Sequence, residues 1–396
     1  MDILSSPSEI TPKKESTPII IQIMLIMNLL GFVYNGIIPF QNAKMLFLMM
    51  SIILFIFSFM HFRSSFTWTD LAAGFLLVVG LLYYRYGSQN GYASLLNNLP
   101  YYLIGFCIAI IFKYSLVPRG SFLIYTTLAL IPFLYIFIVL KKNLEEQGYL
   151  YALNRNFIPQ FLVIATSLQV MNESLQNKKH IIMFPSVLTV ICSYFSYSRA
   201  GLLVSLLLFF IILTANIRNW IFESKIRIEW IKAHKMSMLI LLGIVVLSVC
   251  CGIWFFIQGT RLASLGFKDP ARASIAREFF NQQTCKNFVI GFRPHLQYAS
   301  KLHNSFLTML SYYGIFSFGL YFLIGISLLH YMKHSFTLFG VLGIWCIYSL
   351  VESISPLDVG DFLLIPLIMI ALYQKGWELF PDKKKPMELV RSVLKK

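Results

Sequence analysis

The sequence predicts an all-α polytopic integral membrane protein of about twelve transmembrane helices, with one large extramembrane loop between the ninth and the tenth. Three observations predict it. Of the 396 residues, 57% are hydrophobic and only 13% charged, with a mean hydropathy of +0.70, more apolar side chains than a soluble core of this length needs. Apolar runs of about 20 residues, enough to cross a hydrocarbon layer of about 30 Å, recur from end to end. Ionisable side chains gather between those runs, where they meet water.

The runs centre on Leu25, Ile53, Leu77, Ile108, Leu130, Ile164, Leu188, Leu207, Ile244, Leu323, Ile344 and Leu367. They divide the chain into a cytoplasmic tail (1–17), helices one to nine (18–257), a substrate-binding loop with short helices (258–302), helices ten to twelve (303–374) and a basic cytoplasmic tail (375–396). Residues 1–17 lack the apolar core and cleavage site of a signal peptide, so the first run is expected to stay as an anchor.

The net charge of +16 would suit nucleic acid, but its distribution points to a membrane and no nucleic-acid partner is expected. With the N-terminus inside, the inner loops collect Lys13, Lys14, Arg63, Lys113, Arg119, Lys178, Lys179, Arg218, Lys225, Arg227, Lys232, Lys235, Lys333 and the basic C-terminal tail, a positive-inside bias. The loop before the tenth run breaks the bias. It carries Arg261, Lys268, Arg272, Arg277, Lys286, Arg293 and Lys301 on the face that should be poor in cations, which points to an anionic ligand.

Along the chain, Tyr83, Tyr84, Arg85 and Tyr86 close the third run as an interfacial anchor, and Asn97 and Asn98 before Pro100 predict the cap of the fourth helix. Arg199 stands among Ser196, Tyr197, Ser198, Ala200 and Gly201 where the eighth run begins; it is either a snorkelling interfacial arginine or one with a functional partner. From Asn216 to Lys235, tryptophans and cations alternate with Ile and Phe, which fits an amphipathic helix on the anionic inner leaflet. Asp269 and Pro270 signal a helix start in the large loop. On that helix Arg272 and Arg277, five positions apart, point about 140° apart, and Phe279 and Phe280 would lay it against the membrane surface. Glu352, Asp358 and Asp361 form a small acidic loop near the same face. Of the six cysteines, only Cys285 lies in the large loop, and their spacing fits neither a metal site nor a disulfide framework.

Arginines hold phosphate oxygens with a fixed fork of donors at any pH, and His303, at the mouth of the tenth run, can take a proton from an attacking hydroxyl. It can equally be a capping histidine at a helix mouth. No acidic pair has the spacing of a magnesium site, although folding could bring Glu352, Asp358 and Asp361 together, and no metal or cofactor is expected.

The stretch HNSFLTMLSYYG, with His303, Asn304 and, after nine further residues, Gly314, resembles the O-antigen ligases and related polymerase-like enzymes. So does SYSRAGLLVSLLL, which corresponds to an upstream arginine at Arg199, and so does the order ARASIAREFF, Gly291, His303, which corresponds to a loop arginine at Arg272. Ser317 stands where that family often has a second glycine, and Arg277 and Arg293 compete with Arg272 for the loop position. The resemblance covers mainly Ser196 to Phe318.

It implies a GT-C-like, inverting, metal-independent glycosyltransferase of the Gram-negative inner membrane. Such an enzyme moves O-antigen from undecaprenyl pyrophosphate to the lipid A-core on the periplasmic side, with membrane lipids around it. His303, Arg199 and Arg272 would be catalytic, and Arg277, Arg293, Asn304 and Gly314 would bind the pyrophosphate or glycan. The alternatives are an O-antigen polymerase extending the glycan on its carrier, and a transporter of lipid-linked sugars. The latter predicts charged or broken helices at mid-membrane and related halves, which are not evident.

Overall fold

A computed structural model describes residues 15–37, 43–88, 92–135, 156–196, 198–223, 270–297 and 302–374. Among them the architecture is helical apart from one two-residue strand pair. The helices are α1 (Ile19–Ile37), α2 (Ala43–Phe62), α3 (Trp68–Ser88), α4 (Tyr92–Tyr114), α5 (Arg119–Leu134), α6 (Phe157–Leu175), α7 (Phe184–Phe195), α8 (Arg199–Phe222), α9 (Pro270–Asn281), α10 (Cys285–Ile290), α11 (Ser305–Tyr313), α12 (Phe316–His334), α13 (Phe336–Val351) and α14 (Asp361–Gln374). The strands β1 (Glu15–Ser16) and β2 (Ser115–Leu116) pair in parallel, with the Thr17 and Ser115 hydroxyls 2.7 Å apart.

Every predicted apolar centre except Ile244, which lies outside the described residues, falls within a helix. Twelve full crossings, however, are not found among the described residues. Three helices are long and apolar enough to cross a membrane, Lys44–Phe62, Arg199–Ile221 and Phe316–His334, and seven more apolar stretches are shorter. Length is the limit for the shortest of them. The 12 residues of α7 rise only about 18 Å, well short of a hydrocarbon layer. The outer surface is that of a membrane-embedded protein, with Met45, Met60, Phe75, Leu76 and Phe322 all more than half exposed.

Helices pack where a small residue lets another chain come close. A Cβ on Gly105 of α4 would stand 2.7 Å from the Asp361 carbonyl of α14, and one on Gly340 of α13 would stand 2.7 Å from Ile211 of α8. Gly201 of α8 lies so close to Pro159 of α6 that no Cβ fits between them.

Five contacts set the direction of the helices around α6. Thr166 meets Thr189 at 2.8 Å and Glu173 accepts from the Ile182 amide, so α7 runs antiparallel to α6; Asn216 pairs with the Ile181 backbone, so α8 turns back parallel to α6. Asn156 reaches Glu352 while Ser174 meets Ser335, so α13 is antiparallel to both. The N-termini of α6 and α8 and the C-terminus of α13 therefore share one end of the bundle, the site end.

The opposite end holds ion pairs, one of them buried. Lys113 Nζ lies 2.8 Å from Asp70 Oδ1 with both side chains almost fully enclosed, and Thr67 and Tyr114 also donate to Asp70. Asp70 binds the Thr67 amide three residues before it, closing the first turn of α3. Arg119 and Glu173 pair at 2.7 Å nearby.

Two local expectations are corrected. Asn97 and Asn98 do not cap the fourth helix, which begins at Tyr92 and takes Pro100 into its interior; Asn98 instead donates to the Tyr84 hydroxyl at 3.1 Å. The amphipathic stretch expected from Asn216 opens as the last turns of α8, with Trp220 exposed, and its remainder lies outside the described residues.

Candidate functional site

The site is assembled at helix termini, where backbone groups lack intrahelical partners and side chains are drawn in to serve them. Asn304 is the N-cap of α11: its side-chain oxygen accepts from the Leu307 amide at 3.0 Å, and its amide donates to the Leu350 carbonyl at 3.0 Å. Ser305 donates to the Glu352 carbonyl and accepts from the Ile354 and Ser355 amides. Thr308 and Ser353 join at 3.0 Å. The start of α11 is thereby laced to the chain leaving α13.

His303, just before that cap, has φ +49, a left-handed conformation that costs a histidine on the order of 1 kcal/mol or more and persists because the cap on one side over-determines it. The turn aims its ring at Glu352. His303 Nδ1 lies 3.5 Å from Glu352 Oε2, a loose contact, while Arg272 Nη2 lies 3.0 Å from Oε1 and Asn156 Nδ2 lies 3.2 Å from the same oxygen. The Glu352 side chain is 10% exposed, those of Arg272 and His303 about a third. One nearly buried carboxylate thus gathers a cation, an amide and an imidazole from three other parts of the chain, with Arg272 and His303 facing solvent.

Local sequence accounts for each arm. Pro270 opens α9 as its first residue, which sets Arg272 in the first turn, and Ile275 and Phe279 press that helix onto Phe292, Leu296, Leu302, Leu307 and Leu310. Phe279 is fully buried and stacks on Phe292 with ring centres 5.2 Å apart, so it does not face a membrane as expected, while Phe280 is exposed. Asn156 precedes α6 without capping it, which leaves its amide for Glu352.

Arg199 is the first residue of α8, whose cap is Ser198 with its hydroxyl accepting from Gly201 at 3.2 Å. The Gly201–Pro159 contact sets this terminus beside that of α6, so Arg199 stands at the site end, half-buried.

The other predicted residues separate. Arg277 is exposed, about 140° around α9 from Arg272. Arg293 lines a polar cavity of about 350 Å³ with Tyr84, Asn98, Ser311, Tyr312 and Asp358. Leu302 and Ser353, the chain neighbours of His303 and Glu352, line it too, so it adjoins the segments that carry them. Gly314 ends α11 with φ +51, its Cα against the Val289 carbonyl and the Gly291 amide, a packing role. Asp361 turns inward to accept from the Leu357 amide, so the three acidic residues do not converge. No cluster of metal-ligating side chains occurs among the described residues. Arg261, Lys268 and Lys301 lie outside them.

Glu352 was legible only as part of an acidic loop, and Asn156 carried no signal in sequence. The sequence matches no family model and no curated protein at significance.

Proposed function

We propose that this chain is a glycosyltransferase of the O-antigen ligase type, moving a glycan from undecaprenyl pyrophosphate to a sugar of the lipid A-core on the outer face of a Gram-negative inner membrane. The observation that carries the reading is the meeting of Arg272 and His303 on Glu352, at the end of the bundle where α8 opens with Arg199. An anion-binding fork beside an imidazole with one nitrogen held is what acid–base transfer from a pyrophosphate requires.

The acceptor hydroxyl oxygen forms a bond to the anomeric carbon as the bond from that carbon to the pyrophosphate oxygen breaks, with inversion. The electron pair leaves on the pyrophosphate, which stays attached to its lipid. The hydroxyl proton passes to His303 Nε2, while Nδ1–H points at Glu352 Oε2, which sets the tautomer and supports the imidazolium that forms. The 3.5 Å contact shortens when substrate fills the site. Arg199 and Arg272 stabilise charge growing on the leaving group, and Arg293 meets the donor or glycan from the neighbouring cavity.

The test is glycan transfer from undecaprenyl pyrophosphate to lipid A-core by purified protein in vesicles with EDTA present. Wild type is expected to transfer and His303→Ala to fold but not transfer. Equal transfer by both would reduce His303 to a structural residue. In cells, loss of the protein should leave bare lipid A-core while polymer accumulates on its carrier; single-unit caps would identify a polymerase instead.

A further inference from the structure

Outside the bundle, α10 ends in three consecutive apolar residues that no core receives. Phe288, Val289 and Ile290 are 37%, 45% and 36% exposed, whereas α9 beside them buries its own Ile275 and Phe279. Nothing loose explains this exposure, because α10 is strapped to the chain behind it. Ile315 N donates to the Val289 carbonyl at 3.2 Å, Phe292 N donates to the Ser311 carbonyl at 2.7 Å, and the backbones of Gly291 and Gly314 are pressed together.

The strap joins α10 to the start of α12, one of the helices long and apolar enough to cross a membrane. The Phe288 ring lies 5.7 Å from that of Phe318, and Ile315, Phe316, Phe318 and Phe322 are all largely exposed. The apolar outer face of α12 therefore continues through Ile315 onto Phe288–Ile290. The beginning of α10 is different: Thr284, Cys285 and Lys286 are exposed and polar or small. A short helix with a polar start and an apolar end, continuous with the face of a spanning helix, has the character of an interfacial anchor.

From this continuity we infer that α10 is seated in the bilayer surface on the side of the Arg272–Glu352–His303 site, with Phe288–Ile290 among phospholipid acyl chains and Thr284–Lys286 at headgroup level. Such a seat fixes the depth of the α9–α10 hairpin, and with it the height at which Arg272 meets its ligand. The inference does not depend on the reaction proposed above.

The experiment places the photoreactive amino acid p-benzoylphenylalanine at position 288, at 318 as the membrane reference and at 281, the exposed end of α9, as the aqueous reference. Each full-length variant is reconstituted in phosphatidylcholine vesicles, checked for an unchanged thermal midpoint, irradiated and read by mass spectrometry. Adducts to acyl carbons at 288 should match those at 318 and be lost at 281. The proposal is overturned if 288 labels as weakly as 281 while 318 labels strongly. It is equally overturned if 318 fails to label, or if 288 captures a second copy of the chain in place of lipid.

Discussion

Arg272 and Glu352, 80 positions apart, form a 3.0 Å ion pair in which the carboxylate is nearly buried and the guanidinium reaches solvent. The same carboxylate turns its other oxygen to His303. Glu352→Gln keeps the volume and the Asn156 contact region but removes the charge that steadies an imidazolium. Under the proposed mechanism it should lower kcat on the order of 10²-fold with a smaller change in KM. Steady-state transfer assays decide this; an unchanged kcat would mean that Glu352 only holds helices together.

Gly314→Ala should destabilise the protein, because φ +51 suits glycine and a Cβ would run into the Val289 carbonyl. A loss of about 1–3 kcal/mol is expected. Gly319→Ala, on the same stretch with nothing within 4 Å, is the control and should be neutral. Thermal unfolding in detergent followed by circular dichroism separates the two.

Gly201→Ala should act on the site from a distance. A Cβ there collides with Pro159, forcing apart the N-termini of α6 and α8 that carry Asn156 and Arg199. Overpacking of this kind costs typically about 1–3 kcal/mol. A fall in transfer rate larger than the fall in folded fraction would show that the spacing of these two termini matters to the chemistry.

Asp70→Ala leaves Lys113 charged and enclosed at the other end of the bundle, and should cost about 3–5 kcal/mol. Replacing both, as Asp70→Leu with Lys113→Met, should recover most of that loss, since a buried pair adds little over well-packed apolar groups. Denaturant titration of the single and double variants measures the difference, and a double variant as unstable as the single would show that the pair contributes more than mutual neutralisation.

Helix positions were legible along the chain because apolar runs are local signals, and Pro270 marked the opening of α9. Caps were less so: Asn97 and Asn98 do not cap α4, which begins at Tyr92, and the caps Ser198 and Asn304 emerged only in the structure. Helix length was less legible, since a run of apolar residues does not say where packing will bend or stop it, and α7 ends after 12 residues.

His303, Arg199 and Arg272 were visible as residues of the right chemistry, but their relation was not. Whether Arg272 or Arg277 stands by the histidine depends on the rotation of α9, and that rotation is set by Phe279 burying itself on Phe292 across the loop, while Arg293, beyond α10, lines the separate cavity. Glu352 becomes the centre of the site only because α13 runs antiparallel to α6 and delivers it to Asn156, Arg272 and His303 at one end. Chemical type and helical periodicity are properties of neighbouring residues. Convergence over separations of 49 and 80 positions is decided by packing, which no short stretch of sequence contains.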